Sequence, residues 1–314
     1  MEEGNSGMPV ISIIIPTKNR SEILLASLNE LMKATVFLAN FEVIIVDDGS
    51  DVIVDLPRDA RNFKVVRNIG KGVASARNYG AGLAKSELLW FLDDDIWINE
   101  AALKRALHLN STNSDAIFNF NWVYPPYLNE VISKIPFGRF LQDINFTTMK
   151  GWSRGNYWDD NELFKTDWLA GATLLVSKSI YNKVNGYDSS FPLAGFEDHD
   201  FSVRVKKAKV QCYIDPVYLV YHNEVNKTSL RGFLERVRNN AVTRKHAVNI
   251  GHIDQKMNYT KSKVLAYRMV GFIEFLLMFV VDHWPNVKLI DKLYFRLCHI
   301  LIGYNNFIGY NSIP

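Results

Sequence analysis

The stretch Leu88-Leu89-Trp90-Phe91-Leu92-Asp93-Asp94-Asp95 joins five apolar residues to three consecutive aspartates. A short apolar run of this kind predicts a strand that is buried on both faces of a parallel sheet. Three adjacent carboxylates repel one another, and a hard divalent cation such as Mg²⁺ or Mn²⁺ removes that repulsion. Because the aspartates follow directly after the predicted strand, we favour a cation site over a solvated acidic turn.

The same arrangement occurs twice upstream. Val10–Pro16 predicts the first strand, and the polar turn Thr17-Lys18-Asn19-Arg20 follows it. Ser21 is predicted to cap a helix that leads to a second strand over Phe41–Val46. Asp47-Asp48-Gly49-Ser50 follows that strand, where the carboxylates could either cap a turn or accept hydrogen bonds from a nucleotide.

Further segments extend this βαβ unit. The pattern predicts a strand over Phe63–Arg67, a helix over Ala74–Ala84 and a strand over Leu88–Leu92. Helices that alternate with buried strands indicate a doubly wound, mostly parallel sheet, in which ligands bind beyond the carboxyl ends of the strands. Residues Phe120–Thr166 have no sustained period and predict long loops with short strands. Regular signals return after them: the strand Ala172–Val176, the helix Lys178–Val184, a helix opening at Phe196–Phe201 and the strand Val217–Tyr221.

The segment Asn68–Asn78 combines a flexible turn, a helix start and the cations Lys71 and Arg77, which are features of phosphate contacts. It lacks the Ser or Thr that must follow Gly-Lys in a P-loop. Its glycines also do not follow the first strand, as a dinucleotide fingerprint requires. Kinase, NTPase and dehydrogenase functions are therefore disfavoured.

Two further groups have both a structural and a chemical interpretation. Glu197-Asp198 opens a predicted amphipathic helix, where Asp198 could cap the helix or act as a general base for a hydroxyl nucleophile. His222 ends the last predicted strand and could be an ordinary surface histidine or a metal ligand.

Composition indicates a folded chain of 314 residues, 48% of them hydrophobic. The cysteines Cys212 and Cys298 build no disulfide framework, which favours a reducing, cytoplasmic compartment. The start, Met1 to Gly7, is acidic and polar and lacks the pattern of a signal peptide.

The C-terminal part of the sequence is basic and then apolar. Residues Lys227–Arg268 hold ten Lys or Arg against two acidic residues, and Met269–Val281 is an apolar run interrupted by Glu274. This run is shorter than the roughly 20 apolar residues that a spanning helix needs. We expect it either to make a peripheral membrane contact, together with the basic segment, or to pack against the catalytic domain or a second subunit.

Five ordered motifs resemble the family 2 glycosyltransferases of the GT-A fold. They are Ile14-Ile15-Pro16-Thr17, Ile45-Val46-Asp47-Asp48-Gly49-Ser50, Ala76-Arg77-Asn78-Tyr79-Gly80, Phe91-Leu92-Asp93-Asp94-Asp95 and Gly195-Phe196-Glu197-Asp198. The resemblance implies a catalytic GT-A domain over 1–226, with a nucleotide-sugar half at about 9–115 and an acceptor half at about 116–226. Residues 227–314 would form a helical extension, which matches no family motif and lacks the Gln-x-x-Arg-Trp motif of processive synthases.

The resemblance also implies roles for single residues. Donor contacts would come from Thr17, Arg20, Asp47, Asp48, Arg77 near the diphosphate and Asp94 near the ribose. Mn²⁺ or Mg²⁺ would be held by Asp93, Asp95 and His222. Asp198 would be the catalytic base, Glu197 its neighbour that orients the acceptor, and the loop with Trp168 and Gly171 would lie on the acceptor side.

The implied function is inverting transfer from a nucleotide-diphosphate sugar, with UDP favoured, to a glycan or lipid-linked acceptor in cell-surface polysaccharide synthesis. The enzyme would work in the cytoplasm, at the inner face of the membrane, and would not bind nucleic acid. Two alternatives stay open: a non-catalytic sugar-nucleotide-binding relative and a nucleotidyltransferase of similar fold. The first would be expected to lose Asp93, Asp95 and Asp198. The second would want a glycine-rich loop after the first strand, where Thr17–Arg20 has none.

Overall fold

The computed structural model describes residues 7–153, 155–225 and 228–312. The acidic start over residues 1–6 and the predicted domain boundary at 226–227 lie outside the described residues. The chain forms two compact units. The first comprises residues 7–123, 155–192 and 197–223, and the second comprises 124–153, 193–196 and the described residues from 224 onwards. Residues 124–153 thus belong to the second unit, whereas the predicted division at residue 226 assigns them to the catalytic domain.

The first unit is built on one sheet. Its strands within the described residues are β1 (Ser12–Thr17), β2 (Glu42–Asp47), β3 (Phe63–Arg67), β4 (Leu88–Leu92), β5 (Ile96–Trp97), β6 (Ala116–Val123), β7 (Phe164–Lys165), β8 (Thr173–Ser177) and β9 (Gln211–His222). They are ordered β3-β2-β1-β4-β8-β6-β9-β5, with β7 on β9. The predicted strands over the first hundred residues are confirmed. β1, β2 and β4 are almost completely buried, as their apolar runs require.

The sheet is mixed, and the expectation of a mostly parallel sheet is wrong for its second half. β3, β2, β1 and β4 are parallel, and β6 is parallel to β9. β8 is antiparallel to both β4 and β6, and β5 and β7 are antiparallel to β9. All residues of β8 are buried. An apolar run without alternation therefore indicates burial on two faces but not the direction of the strand.

Helices of the first unit connect and cover these strands. They are α1 (Ser21–Ala34), α2 (Val73–Leu83), α3 (Glu100–Thr112), α7 (Lys178–Lys183) and α8 (Glu197–Lys207). The predicted Ser21 cap is wrong, because Ser21 is already the first helical residue and no side chain caps α1. Residues of α2, α7 and α8 share one apolar cluster with β1, β2, β4 and β8; it includes Ile14, Val46, Phe91, Leu174 and Phe201.

The second unit is helical in its described residues. It contains α4 (Pro126–Ser133), α5 (Pro136–Asp143), α6 (Met149–Trp152), α9 (Leu230–Asn249), α10 (Lys261–Asp282) and α11 (Asp291–Tyr310). The helical C-terminal extension is thereby confirmed. The long loops with short strands predicted over Phe120–Thr166 are wrong for 126–152, where α4, α5 and α6 lie, whereas residues 155–163 are outside helices and strands and β7 is a short strand. Pro126 and Pro136 each occupy a first helical turn, where the missing N–H of proline costs nothing. Arg139 pairs with Asp291 at 2.6 Å and ties α5 to α11.

Candidate active site

The carboxyl ends of β1 and β4 bring the first two predicted groups together. Thr17 ends β1 and donates its hydroxyl to Asp94 Oδ2 at 2.7 Å. The Arg20 guanidinium pairs with Asp94 as well. Burial, helped by the nearby Asp95 carboxylate, raises the pKa of Asp94 to about 7, although Arg20 and Thr17 act in the other direction. Asp94 is therefore held by the turn that follows the first strand.

Asp95 is completely buried. Its Oδ2 accepts from Arg20 at 2.7 Å, and its Oδ1 lies 3.1 Å from His222 Nε2. His222 ends β9 and is paired in register with Ile96 of β5, one residue after Asp95. The Trp122 and His222 rings pack in a T-shaped pair, with centroids 4.6 Å apart. The predicted pair of metal ligands, Asp95 and His222, is thus brought together although 127 positions separate them in the sequence.

Arg77 joins the third aspartate to the predicted catalytic pair. Its guanidinium is buried and lies 2.9 Å from Asp93, 3.3 Å from Glu197 and 3.4 Å from Asp198. The resemblance assigned Arg77 to the diphosphate, and in the structure its partners are these three carboxylates. One cation thereby holds the residue after β4 and the first two residues of α8 in a single cluster.

Asp198 is fixed from a second side by the chain before β8. The Gly171 backbone N–H donates to Asp198 Oδ2 at 2.9 Å. Burial raises the pKa of Asp198, whereas Arg77 and the Gly171 hydrogen bond lower it. A partly buried carboxylate with a raised pKa is suited to act as a general base. The structure records no contact between Trp168 and this cluster; Trp168 lies against Thr166, whose hydroxyl donates to its carbonyl at 3.2 Å.

Asp47 and Asp48 hold the loops beside the cluster. Asp47 ends β2, pairs with Arg67 at 2.6 Å and accepts from the Ser50 N–H at 2.8 Å. Asp48 accepts from the Gly72 N–H at 2.9 Å and from the Asn68 side chain at 2.7 Å. Gly72 has φ +86°, a conformation that glycine adopts readily. Asp48 thus fixes the turn that leads into α2.

Sequence reasoning missed Tyr187. The Arg77 guanidinium lies over the Tyr187 ring, 4.9 Å from its centroid, and the hydroxyl of Tyr187 lowers the pKa of Asp198. Asn78 positions the backbone of Tyr187, because its Oδ1 accepts from the Tyr187 N–H at 2.8 Å and its amide donates to the Tyr187 carbonyl at 2.7 Å. The only signal in the sequence is an aromatic residue directly after the Asn185-Gly186 turn, which is too common to indicate a site.

The residues at this edge fit a divalent cation. Asp95 and His222 are buried and direct Oδ1 and Nε2 at each other, and the partly exposed Asp93 carboxylate directly follows β4. Carboxylate oxygens with one imidazole nitrogen form a set that Mn²⁺ accepts readily, and carboxylates alone suit Mg²⁺. The cation Arg20, which bridges Asp94 and Asp95, balances the same negative charge in the structure.

The comparisons agree with this fold. The family described as glycosyl transferase family 2 matches residues 12–169, half of the chain, and the family described as N-terminal domain of galactosyltransferase matches 162–229. The chain therefore belongs to the family 2 glycosyltransferases. It is similar in fold to a mannosyltransferase of Pyrobaculum calidifontis, solved with GDP-mannose and Mn²⁺ (TM-score 0.56, 11% identity, 98% of this chain and 89% of that one). The GT-A fold is thereby confirmed.

Two curated relatives extend the comparison. Validoxylamine A glucosyltransferase of Streptomyces hygroscopicus is 30% identical over 65% of this chain and 53% of its own length. A glucosyltransferase of Escherichia coli, named as transferring glucose from UDP-glucose to N-acetylglucosamine-diphosphoundecaprenol, is 25% identical over 78% of this chain and 90% of its own length. The chain spans about half the length of the first curated relatives that it matches.

Proposed function

We propose that this chain is an inverting glycosyltransferase that moves a sugar from a nucleotide-diphosphate donor, with UDP favoured, to a hydroxyl of a glycan or lipid-linked acceptor. The observation that carries the proposal is the cluster in which the buried Arg77 contacts Asp93, Glu197 and Asp198. The Arg77 side chain thus contacts both a predicted metal ligand, Asp93, and the predicted base, Asp198. The E. coli relative, named for a UDP-sugar and a lipid diphosphate acceptor, supports the choice of donor and acceptor class.

The chemistry of these residues follows from their environment. Asp198 accepts the proton of the acceptor hydroxyl while the hydroxyl oxygen attacks the anomeric carbon from the face opposite the nucleotide. Glu197 orients the acceptor, and Thr17, Arg20, Asp48 and Asp94 contact the nucleoside side of the donor. A Mn²⁺ or Mg²⁺ ion held by Asp93, Asp95 and His222 would neutralise charge on the departing nucleoside diphosphate. The bond to the nucleotide breaks as the new glycosidic bond forms, which inverts the anomeric centre.

A lipid-linked acceptor would place the reaction at a membrane surface. A lipid-linked acceptor lies at the bilayer surface, so we expect the enzyme to work in the cytoplasm at the inner face of the membrane in cell-surface polysaccharide synthesis. Residues 228–281 carry the basic and apolar segments that would make a peripheral contact. A second subunit is the alternative partner for the apolar segment.

Replacing Asp198 with Asn tests the role of the base. We expect turnover to fall by about 10²- to 10⁴-fold, the usual contribution of a general base, with donor affinity almost unchanged. The measurement is release of nucleoside diphosphate from a panel of UDP-, GDP- and dTDP-sugars with Mn²⁺, with and without acceptor. Asp167→Asn is the matched control, because the Asp167 side chain is exposed and pairs with Lys206 at 2.6 Å.

The pH dependence gives a second readout of the same experiment. Because the pKa of Asp198 is raised above its ordinary value of 3.8, the base is protonated at a higher pH than an exposed aspartate would be. We expect kcat/KM of the unmodified enzyme to fall as the pH drops through that raised pKa, and the residual activity of Asp198→Asn to lack this limb. Full turnover in the variant would contradict the assignment, and donor binding without transfer in the unmodified chain would favour the non-catalytic alternative.

A further inference from the structure

The outer face of α10 is apolar and exposed. Phe272 and Phe275 are 90% and 86% exposed, and Leu265, Met269 and Leu276 are each about 60% exposed. Leu265, Met269, Phe272, Leu276 and Phe279 follow one another at intervals of four and three residues, so they lie on one side of the helix. A contiguous apolar surface of this kind marks a contact with a membrane or another macromolecule.

The opposite face of α10 packs on α11 within the second unit. The Tyr267 ring stacks on Phe307 with centroids 5.3 Å apart, and a Cβ on Gly271 would lie 3.0 Å from the Tyr304 hydroxyl. By length and composition alone α10 could cross a membrane. Only 6% of its most apolar stretch of 18 residues is buried inside the structure. Because one face is already occupied by α11, a helix that keeps these contacts lies along a bilayer surface, with only the outer face in contact with lipid.

The charges of α10 fit a bilayer rather than a soluble protein partner. Its outer face carries no charged residue between Arg268 and Asp282, since Glu274 faces inward and contacts Arg238 at 4.0 Å. The residues leading into this face are basic: residues 244–268 hold six Lys or Arg against one acidic residue, Asp254. Apolar side chains next to a cluster of cations match acyl chains next to anionic headgroups.

A pocket lies at the basic end of α10, between α9, α10 and α11. Its volume is about 320 Å³, and its lining combines cations, amides and aromatic rings: Arg244, Asn258, Tyr259, Lys263, Tyr267 and Asn306. The Tyr259 ring meets Phe307 edge-on at 5.2 Å, which gives the pocket an aromatic wall. No carboxylate in the described part of the chain pairs with the Lys263 ammonium group. The Thr260 hydroxyl accepts from the Lys263 N–H, and the positive end of the α10 dipole favours an anion beside this first turn.

From these observations we propose that the second unit docks on an anionic lipid bilayer through the outer face of α10, and that the pocket lined by Arg244 and Lys263 binds a lipid phosphate group. The phosphate would enter beside the first turn of α10 while Phe272 and Phe275 insert among the acyl chains. This inference specifies which residues make the membrane contact of the proposed function. It rests on the proposed function only in assuming that the acceptor is linked to a lipid. Binding to lipid is measured without any sugar transfer, so the two can fail separately.

Flotation of the full chain with vesicles tests the docking face. We expect the unmodified chain to float with phosphatidylcholine vesicles that contain phosphatidylglycerol. The double variant Phe272→Ser, Phe275→Ser should bind them at least about tenfold more weakly, because two large apolar side chains no longer enter the lipid. The control is Val36→Ser, Val52→Ser, which removes exposed apolar residues of the first unit and should float unchanged. Both rings are exposed, so the thermal midpoint of the variant should equal that of the unmodified chain.

A second variant tests the pocket and separates a lipid phosphate from free phosphate. Lys263→Gln, alone and with Arg244→Gln, should keep the residual binding to pure phosphatidylcholine and lose about fivefold per charge in the preference for phosphatidylglycerol. The control is Lys33→Gln in the first unit, whose side chain is 71% exposed. Inorganic phosphate at concentrations that leave vesicle binding intact should not raise the thermal midpoint, since the headgroup reaches the pocket from the bilayer.

Four outcomes would contradict the inference. The unmodified chain could stay unbound with anionic vesicles at low salt. The serine variant could float as well as the unmodified chain. Light scattering could detect a dimer that the same two serine substitutions abolish, in which case a second copy of the chain covers α10. A saturable rise of the thermal midpoint with inorganic phosphate that Lys263→Gln removes would likewise assign the pocket to a soluble phosphate.

Discussion

At the scale of single residues, Arg77 organises the candidate site. A guanidinium that is 3% exposed meets three carboxylates, and such a buried cation is stable only because those charges surround it. Its removal would leave the neighbouring carboxylates of Asp93, Glu197 and Asp198 without the cation that they share. The position of the proposed base relative to the proposed metal ligand therefore depends on this one side chain.

Gly171 makes room for that arrangement and gives a residue-scale prediction. A Cβ at this position would lie 2.5 Å from the Arg77 guanidinium and 2.6 Å from Asp198 Oδ1. We expect Gly171→Ala to displace the base and reduce turnover by about 10²-fold or more, while donor affinity changes little. The measurements are kcat and the donor Kd from isothermal titration.

Gly82→Ala is the matched control for this substitution, because nothing lies within 4 Å of a Cβ built at Gly82. It should leave kcat unchanged. If Gly171→Ala retained full turnover, the contact between Gly171 and Asp198 would have no part in positioning the base.

At the scale of elements, α2 lies so close to the sheet that one of its residues must be glycine. A Cβ at Gly80 would lie 2.5 Å from Ile14 Cγ2 of β1 and 3.1 Å from Val46 Cγ2 of β2. We expect Gly80→Ala to lower the free energy of unfolding by about 1–3 kcal/mol through overpacking. Gly82→Ala in the same helix should raise it by about 0.5–1 kcal/mol, because alanine forms helix better than glycine. Denaturant titration measures both, and equal shifts would contradict the close approach of α2.

The sequence predicts those elements whose pattern of apolar residues reflects their burial. β1, β2 and β4 are continuous apolar runs, and polar turns mark their carboxyl ends at Thr17, Asp47 and Asp93. The antiparallel direction of β8 is not recorded, because a strand covered on both faces has the same pattern in either direction. The helices α4 and α5 were missed because each has only eight residues, which is too short for a helical repeat of apolar residues to be recognised. Their prolines and aromatic residues also favoured a loop interpretation.

The sequence predicts most of the acidic residues of the candidate site, but it does not predict the contacts between the site residues. Asp93, Asp95, Asp198 and His222 stand out by type and by their place after strands or before a helix. The contacts of Arg77 with Glu197 and Asp198, and with the ring of Tyr187, depend on distances between segments more than one hundred residues apart in the chain. No local pattern carries that information.

At the scale of the whole molecule, the first unit gathers polar groups from seven segments at one edge of its sheet. Thr17, Asp48, Arg77, Asp94, Gly171, Asp198 and His222 all belong to this unit. Such a site is held by the fold itself, so a ligand that contacts several of these segments stabilises the native state of the unit against unfolding.

This linkage predicts a joint effect of cation and nucleotide on thermal stability. We expect Mn²⁺ with UDP to raise the thermal midpoint of the full chain more than either alone. A ligand at one hundred times its Kd adds about 2.7 kcal/mol. GDP and dTDP should give smaller shifts if UDP belongs to the donor. Differential scanning fluorimetry across the nucleotides, with and without Mn²⁺, is the measurement.

The variant Asp95→Asn tests whether the Mn²⁺-dependent rise of the thermal midpoint comes from the predicted metal site. Asp95 directs one oxygen at His222 and the other at Arg20, so its amide analogue removes an anionic ligand while Arg20 keeps Asp94 as a partner. The part of the shift that depends on Mn²⁺ should disappear in this variant. It should persist in the control Asp51→Asn, whose side chain is exposed. An undiminished Mn²⁺ effect in Asp95→Asn would mean that the ion binds elsewhere on the chain, and the division of roles among Asp93, Asp94 and Asp95 would then be wrong.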